Sequence, residues 1–517
     1  MGDLALARDA YQSILNEMPT HFDAMHLLGV VCAQSGEHSL ALELFSKVIA
    51  IKSRDPVAHN NLGNAQAALK DWASALLSYN KAIELDSRYA LAYFNRGIAQ
   101  EELGYFELAL ASYQYTIKIN PQYVQAYLNY GVVLQKLGRI QEALVQYGVA
   151  ISLDPEFADA YYNRGTDFTE LALLEEAIRD FDHALSIRPG FADAYWNKSL
   201  ALLCMGQWAA AWDIYDWRWR RSDLDPHAFR PPLDRQRFQY STSRISSQRV
   251  FVWAEQGVGD EVFHASMFSE MVNRFGATTV QADIRLVPLL QRSVPGVKFV
   301  DKADPVEQAS FDIHLAHGDL GYFFRRDTTS FQEIRARYLY TDSSRVDELR
   351  TYFKTDTRPL VGITWQSKNN RLGSRKSISL DNLLPILQNP GCRFVSLQYG
   401  DIADELKLIK QQHGIKIELC PLVDNFSDLD GHAALIDACD MVLTVSNTTA
   451  HIAGALGKAS FVMLSKGEGR LWYWANRQGR SSIWYPATEV FEQTKHGEWD
   501  DVVSDIRLII TEKYLAQ

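Results

Sequence analysis

Three loops in the second half of this 517-residue chain bring glycine, hydroxyl and charge together where a strand runs into a helix. Open α/β sheets hold their ligands at such junctions. The first loop is Glu255-Gln256-Gly257-Val258-Gly259-Asp260-Glu261. Its glycines permit a tight turn with close backbone approach, but it lacks the third glycine of a dinucleotide fingerprint. The second, Trp365-Gln366-Ser367-Lys368, runs on through Arg371, Arg375 and Lys376. The third is Ser446-Asn447-Thr448-Thr449-Ala450-His451. Hydroxyls beside the free N–H groups of a helix N-terminus make an anion site, and the same residues also serve as a plain helix cap.

Apolar, β-branched runs supply the strands that these loops need. One set lies at 249–254, 279–284, 297–300 and 311–316; a second lies at 360–365, 394–398, 415–419, 441–446 and 460–464. Runs of this length alternating with helices predict parallel sheets covered on both faces. Two sets in series predict two Rossmann-like lobes with a cleft between them and a seam near 341–358. The lobes are expected at 249–345 and 346–517. A polar connector at 223–248, with Pro226, Pro231 and Pro232, precedes them.

The order of the loops resembles the heptosyltransferase-like branch of the GT-B glycosyltransferases, in particular bacterial proteins that fuse it to tetratricopeptide repeats (TPRs). The matching stretches are Trp253–Glu261, Val361–Gln366, Arg375-Lys376-Ser377-Ile378, Ser446–Gly457, Trp484-Tyr485-Pro486 and Gly497-Glu498-Trp499, which together span about 249–502. The resemblance implies a GT-B fold and a metal-independent sugar transfer from a nucleotide sugar, with no further cofactor. It implies Asp260 as the carboxylate on the acceptor side, acting as general base, although Asp260 also suits the cap of the following helix. A basic residue meets the donor phosphates; Lys376 matches best, with Lys368 and Arg375 as competitors. Gln366, Ser446, Asn447, Thr448 and Thr449 fall on the donor side. His451 reads either as a phosphate contact or as packing, and His264 as packing. The last turn departs from the family, which usually has Asp-Thr-Gly where this chain has Ser446-Asn447-Thr448. ADP-heptose is therefore not implied as the donor.

The first two-fifths of the chain are periodic. Gly29, Gly63, Gly97, Gly131 and Gly165 recur every 34 residues, as do the alanines from Ala41 to Ala211. The aromatics Tyr11, Phe45, Tyr79, Tyr113, Tyr147, Phe181 and Tyr215 share the period, and Pro19, Pro121, Pro155 and Pro189 keep its phase. A small residue on each of two helices lets them approach closely, and the aromatic is expected to fill the gap to the next repeat. This pattern resembles a TPR solenoid of about five and a half repeats over 1–222, entered within the second helix of a repeat. Asn61, Asn95, Asn129, Asn163 and Asn197 form one more series. It resembles the asparagine ladder in the TPR arm of O-linked N-acetylglucosamine transferases. That resemblance implies a protein or peptide acceptor held through its backbone. Asparagine at this place is also common in TPRs without such a role.

The bulk composition narrows the partners. Residues 1–222 hold 18 Lys+Arg against 26 Asp+Glu, and the net charge of the whole chain is −11. An acidic array argues against nucleic acid. No apolar run approaches the ~18 residues that a membrane span requires. Five scattered cysteines form no metal or disulfide pattern and fit a reducing, cytoplasmic setting. No metal is expected. Two other readings stay open. One is a TPR scaffold whose transferase lobes no longer turn over, which the Ser446-Asn447 replacement favours. The other is a transferase acting on a glycan or lipid-linked acceptor.

Overall fold

The computed structural model describes residues 2–515 apart from 224–247, 333, 369–372, 468–470 and 475–478. The expected connector at 223–248, save its two end residues, and Arg371 therefore lie outside the described residues. The chain divides into two compact units. One comprises residues 1–168 and 175–191; the other comprises 169–174 and 192–517.

The first unit is a helical TPR solenoid in which short turns join helices of 13 or 14 residues, such as Pro56–Ala68 and Trp72–Leu85, after a first helix of 16, Gly2–Glu17. The local causes are visible. Asp55 accepts hydrogen bonds from the backbone N–H of Val57 and Ala58, with Pro56 in the first turn where its missing N–H costs nothing. Between the helices of a pair the chain enters the left-handed region, at Gly36, Gly104 and Gly138, and Lys70 occupies the same place at φ 63°.

The periodic aromatics rest on the glycine of their own repeat, and Tyr113 also reaches the next one, where it bonds to Asn129. A Cβ on Gly63 would lie 2.5 Å from the ring of Tyr79, and one on Gly97 would lie 2.5 Å from Tyr113. The glycine series is thus the floor under the aromatic series. Gly97→Ala should gain about 1 kcal/mol of helix propensity but lose about 1–3 kcal/mol to overpacking, because Tyr113 is fully buried and has nowhere to go. Urea titration should report a net loss of stability.

Beyond residues 169–174, the second unit continues with the helices Ala192–Cys204 and Trp208–Ile214 and a 3₁₀ segment, Tyr215–Arg220. The periodic series thus runs past the boundary between the units. Two parallel sheets come next. The first has four strands, β1 (Val250–Trp253), β2 (Thr278–Ala282), β3 (Lys298–Asp301) and β4 (Ile313–Ala316), in the order β3-β2-β1-β4. The second comprises β5 (Leu360–Ile363), β6 (Arg393–Ser396), β7 (Ile417–Glu418), β8 (Met441–Val445), β9 (Ser460–Leu464) and β10 (Thr488–Glu492), in the order β10-β9-β8-β5-β6-β7. Nine strands fall on the predicted runs. β10 falls on none of them, because Thr488-Glu489-Val490-Phe491-Glu492 has only two adjacent apolar residues, flanked by glutamates, instead of an apolar run. Every pairing between these strands is parallel, so within each sheet the carboxyl ends share one edge. Val361, Ile363, Leu443 and Met463 are fully buried in the core of the second sheet.

Candidate active site

The loop after β1 and the loop after β8 meet. The helix Val258–His264 follows the first and the helix Thr448–Ala455 follows the second. A Cβ on Gly259 would lie 3.0 Å from His451 and 3.6 Å from the Thr448 hydroxyl. Any larger residue at 259 would separate the two helix ends. Gly257 caps the first helix, and its N–H donates to Asp260 Oδ2 at 3.1 Å. Asp260 is therefore not the N-cap itself but the third residue of the helix, whose carboxylate receives the N–H of the capping Gly257, while its half-buried carboxyl also faces inward. Burial pushes its pKa up to about 6; the Gly257 N–H opposes this, the nearby Glu255 carboxylate adds to it, and Lys376 opposes it.

Lys376 reaches the same spot from the second sheet's side and is buried. Burial pulls its pKa below the usual lysine range, and the Asp260 charge resists the shift. The two competitors stand elsewhere. Lys368 lines a neighbouring cleft near Gly400, and Arg375 is exposed, its guanidinium 4.0 Å from the Glu170 carboxylate. Gln366 turns its amide away, donating to Glu405 at 3.0 Å.

The anion-site residues are engaged unequally. Ser446 accepts from Trp474 Nε1 at 2.9 Å, which leaves its own proton free to be donated. Asn447 accepts from the N–H of Ala450 and the hydroxyl of Thr444, and donates to Thr364 Oγ1 and the Gln366 carbonyl. It thus ties the ends of β5 and β8 together. An aspartate could not make the two donations, which gives a physical reason for asparagine here. Thr449 is committed inward. His432 Nδ1–H donates to Asn425 Oδ1 at 2.9 Å, so its other nitrogen accepts the Thr449 proton at 3.1 Å. Burial holds His432 neutral, its pKa pushed down to about 4. His451 is buried against Trp474 and bonded to Tyr485 at 2.7 Å, with its pKa pushed down to about 3 by burial and next by Lys376. Its packing role is realised. Thr448 lines a small cleft of about 170 Å³ together with Arg285, Tyr399, Asn425, Phe426 and His432. That cleft shares Tyr399, Asn425 and Phe426 with a larger one of about 830 Å³ at the ends of β6 and β7.

Some partnerships at the site carried no sequence signal, although Glu255 opens the first loop. Arg218, Glu255 and Asp319 form a buried ion cluster directly behind the Asp260 loop. Tyr473 and Tyr485 are buried near Asp260, whose charge, second to burial for Tyr473, helps raise their pKa values well above the tyrosine range. Only the Trp484-Tyr485-Pro486 stretch hints at the latter.

The asparagine series is half-buried and busy. Asn61 shares a hydrogen bond with His26, and Asn95 donates to Asn60 and Asn64, each at 3.0 Å. Asn129 bonds to Tyr113, and Asn163 donates to the Asp159 carbonyl. Asn197, in the second unit, is half-buried too. Asn61 and Asn95 thus join consecutive repeats.

Tetratricopeptide-repeat family models match residues 1–56, 67–104, 112–145 and 136–166. A curated relative, protein FlbA of Caulobacter vibrioides, is 29% identical over 327 residues, covering 60% of this chain and 53% of its own length. The chain thus spans about half the length of this relative. Among solved structures, YrrB, described as a TPR protein with an unusual peptide-binding site, is 24% identical over 34% of this chain and 91% of its own, with a TM-score of 0.30. TTC0263, a TPR protein of Thermus thermophilus, is 24% identical over 35% of this chain and 99% of its own, with a TM-score of 0.31. The TPR matches mark the first part of the chain as a protein-interaction scaffold. No helix among the described residues is long and apolar enough to cross a membrane.

Proposed function

We propose that the chain is a cytoplasmic, metal-independent GT-B glycosyltransferase. In this reading it moves a sugar from a nucleotide sugar to a hydroxyl of a protein held by the TPR arm. One observation carries it: a half-buried carboxyl with a pKa of about 6 faces a buried lysine and a helix N-terminus contributed by the other lobe. Asp260 takes the proton of the acceptor hydroxyl. Lys376, Ser446, Thr448 and the N–H groups of the helix Thr448–Ala455 take up the charge of the departing diphosphate. The paired clefts lined by Tyr399 and Phe426 offer aromatic surface for the nucleoside. A thermal-shift screen of the whole protein against nucleotide sugars tests this, since a ligand at 100 times its Kd adds about 2.7 kcal/mol. A panel with no shift, or a shift with no single turnover, would remove the enzyme.

The second reading is a scaffold with inactive lobes. The inward commitment of Asn447 and Thr449 favours it, because these groups have little left to give a phosphate. The asparagine series separates the roles further. Replacing Asn95, Asn129 and Asn163 together with Ala should weaken acceptor binding several-tenfold, at ~0.5–1.5 kcal/mol per bond. Donor affinity should not change. If only the melting temperature falls, the series serves the solenoid alone, as the Asn95 bonds to Asn60 and Asn64 suggest.

A further inference from the structure

The cluster behind the Asp260 loop is built with unusual economy for a buried charge. Arg218, in the 3₁₀ segment Tyr215–Arg220, reaches Glu255 through two nitrogens at 3.0 Å each and Asp319 at 2.6 Å. The three side chains are each 3% exposed. The guanidinium lies between the rings of Tyr215 and Trp219, at 4.5 and 4.3 Å from their centroids. Each carboxylate has a backbone donor as well: Gly318 N–H at 2.6 Å for Glu255, and Ala316 N–H at 2.9 Å for Asp319. A side chain on Gly318 would collide with the Glu255 carboxylate. Glu255 closely follows β1, Asp319 follows β4, and the two strands are paired neighbours. The guanidinium therefore clamps the carboxyl ends of both.

Glu255 leads directly into the loop that carries Asp260. Gln256 is held in the left-handed region at φ 66°, where a side chain is strained, and Gly257 then caps the helix that bears Asp260. Such a turn persists only when its surroundings fix it, and here the fixed end is Glu255. We propose that Arg218 is a positioning residue for Asp260. By holding Glu255 it sets the Gln256 turn, and it offsets half of the buried negative charge next to the site. The inference rests on the reading of Asp260 as the base, and it deepens that reading by placing control of the base in the segment that precedes the lobes.

Asp260 is faced by Glu255 and Lys376, by the phenols of Tyr215, Tyr473 and Tyr485, and by the imidazole of His264, with His451 against the neighbouring Gly259. Burial keeps the phenols and imidazoles neutral near pH 7, so Glu255 and Lys376 are the charges that tune it. Glu255→Gln keeps the shape, leaves Arg218 paired with Asp319, and takes one negative neighbour away from Asp260. The titration of Asp260 is read as the difference in melting temperature, across pH 4–9, between each protein and the same protein carrying Asp260→Asn. That readout does not depend on turnover. In Glu255→Gln the midpoint should move to lower pH by about half a unit or more. In Arg218→Lys, whose point charge cannot hold both carboxylates in fork geometry, it should move upward. Turnover by Arg218→Lys should fall about tenfold with donor Kd unchanged. Should Arg218→Lys fail to fold, Glu255→Gln alone decides. A midpoint that stays put in Glu255→Gln overturns the inference, even if the melting temperature drops. A shifted midpoint in a protein that never turns over upholds the clamp and removes the base.

Discussion

Asp260→Asn should lose ~10²-fold or more in single-turnover rate while binding donor within about threefold of the unsubstituted protein. Asparagine keeps the size of the side chain and can still accept from Gly257 N–H, so the helix cap survives. It cannot take a proton. The donor's phosphates meet Lys376 and the helix Thr448–Ala455, which the substitution leaves in place. A second consequence separates this outcome from simple damage. The folded pKa of Asp260, about 6, lies above the ordinary carboxylate value near 3.8 because of burial. The native state therefore holds this proton more tightly than the unfolded chain does. Stability is lost as pH rises from about 4 through 6 and stays lost above. Asparagine has no such loss. Asp260→Asn should melt higher than the unsubstituted protein at pH 8, and the gap should close below pH 4. A variant that is both inactive and more stable marks a group held at a cost for chemistry; one that keeps its turnover leaves Asp260 as the partner of the capping Gly257.

The legible parts of this fold were those that repeat or alternate. A period of 34 residues reports one packing environment copied many times, so glycine, alanine and aromatic series appear without any knowledge of contacts. The same series does not say which partner each ring meets, and Tyr113 rests on Gly97 of its own repeat. Strands buried on both faces read as apolar runs; β10, with Glu489 and Glu492 half-buried, does not. At the site, the three loops were visible because glycine, hydroxyl and charge cluster locally. The directions of their side chains were not. Gln366 turns to Glu405, Thr449 to His432, and Asn447 to Thr364, each across a gap in sequence that only the sheet order closes. The Arg218 clamp was hidden for the same reason. Its partners come from the ends of β1 and β4, which lie 37 and 101 residues further along the chain.

Lys376→Met should raise the donor Kd by about 10- to 150-fold, the equivalent of ~1.5–3 kcal/mol for a lost charge-assisted bond to phosphate. Methionine fills a similar volume, so the buried site should stay packed. The lysine is 6% exposed, and its charge is costly to bury without a partner. In the free protein the opposite charge it feels is that of Asp260, and in the proposed complex the diphosphate joins it. Lys376 is also one of the groups that hold the Asp260 pKa down. Its loss should therefore push that pKa above about 6, and the acid limb of the kcat/KM profile should move to higher pH. A simple defect in donor binding predicts no such movement, and a defect in folding predicts neither effect alone. If Lys368→Met produces the loss of affinity instead, the phosphates sit in the larger cleft beside Tyr399 and Asn425, on Lys368 and not on Lys376. The two lysine variants, measured with one donor across pH 5–9, thus decide whether the carboxylate and the phosphates share one reaction centre.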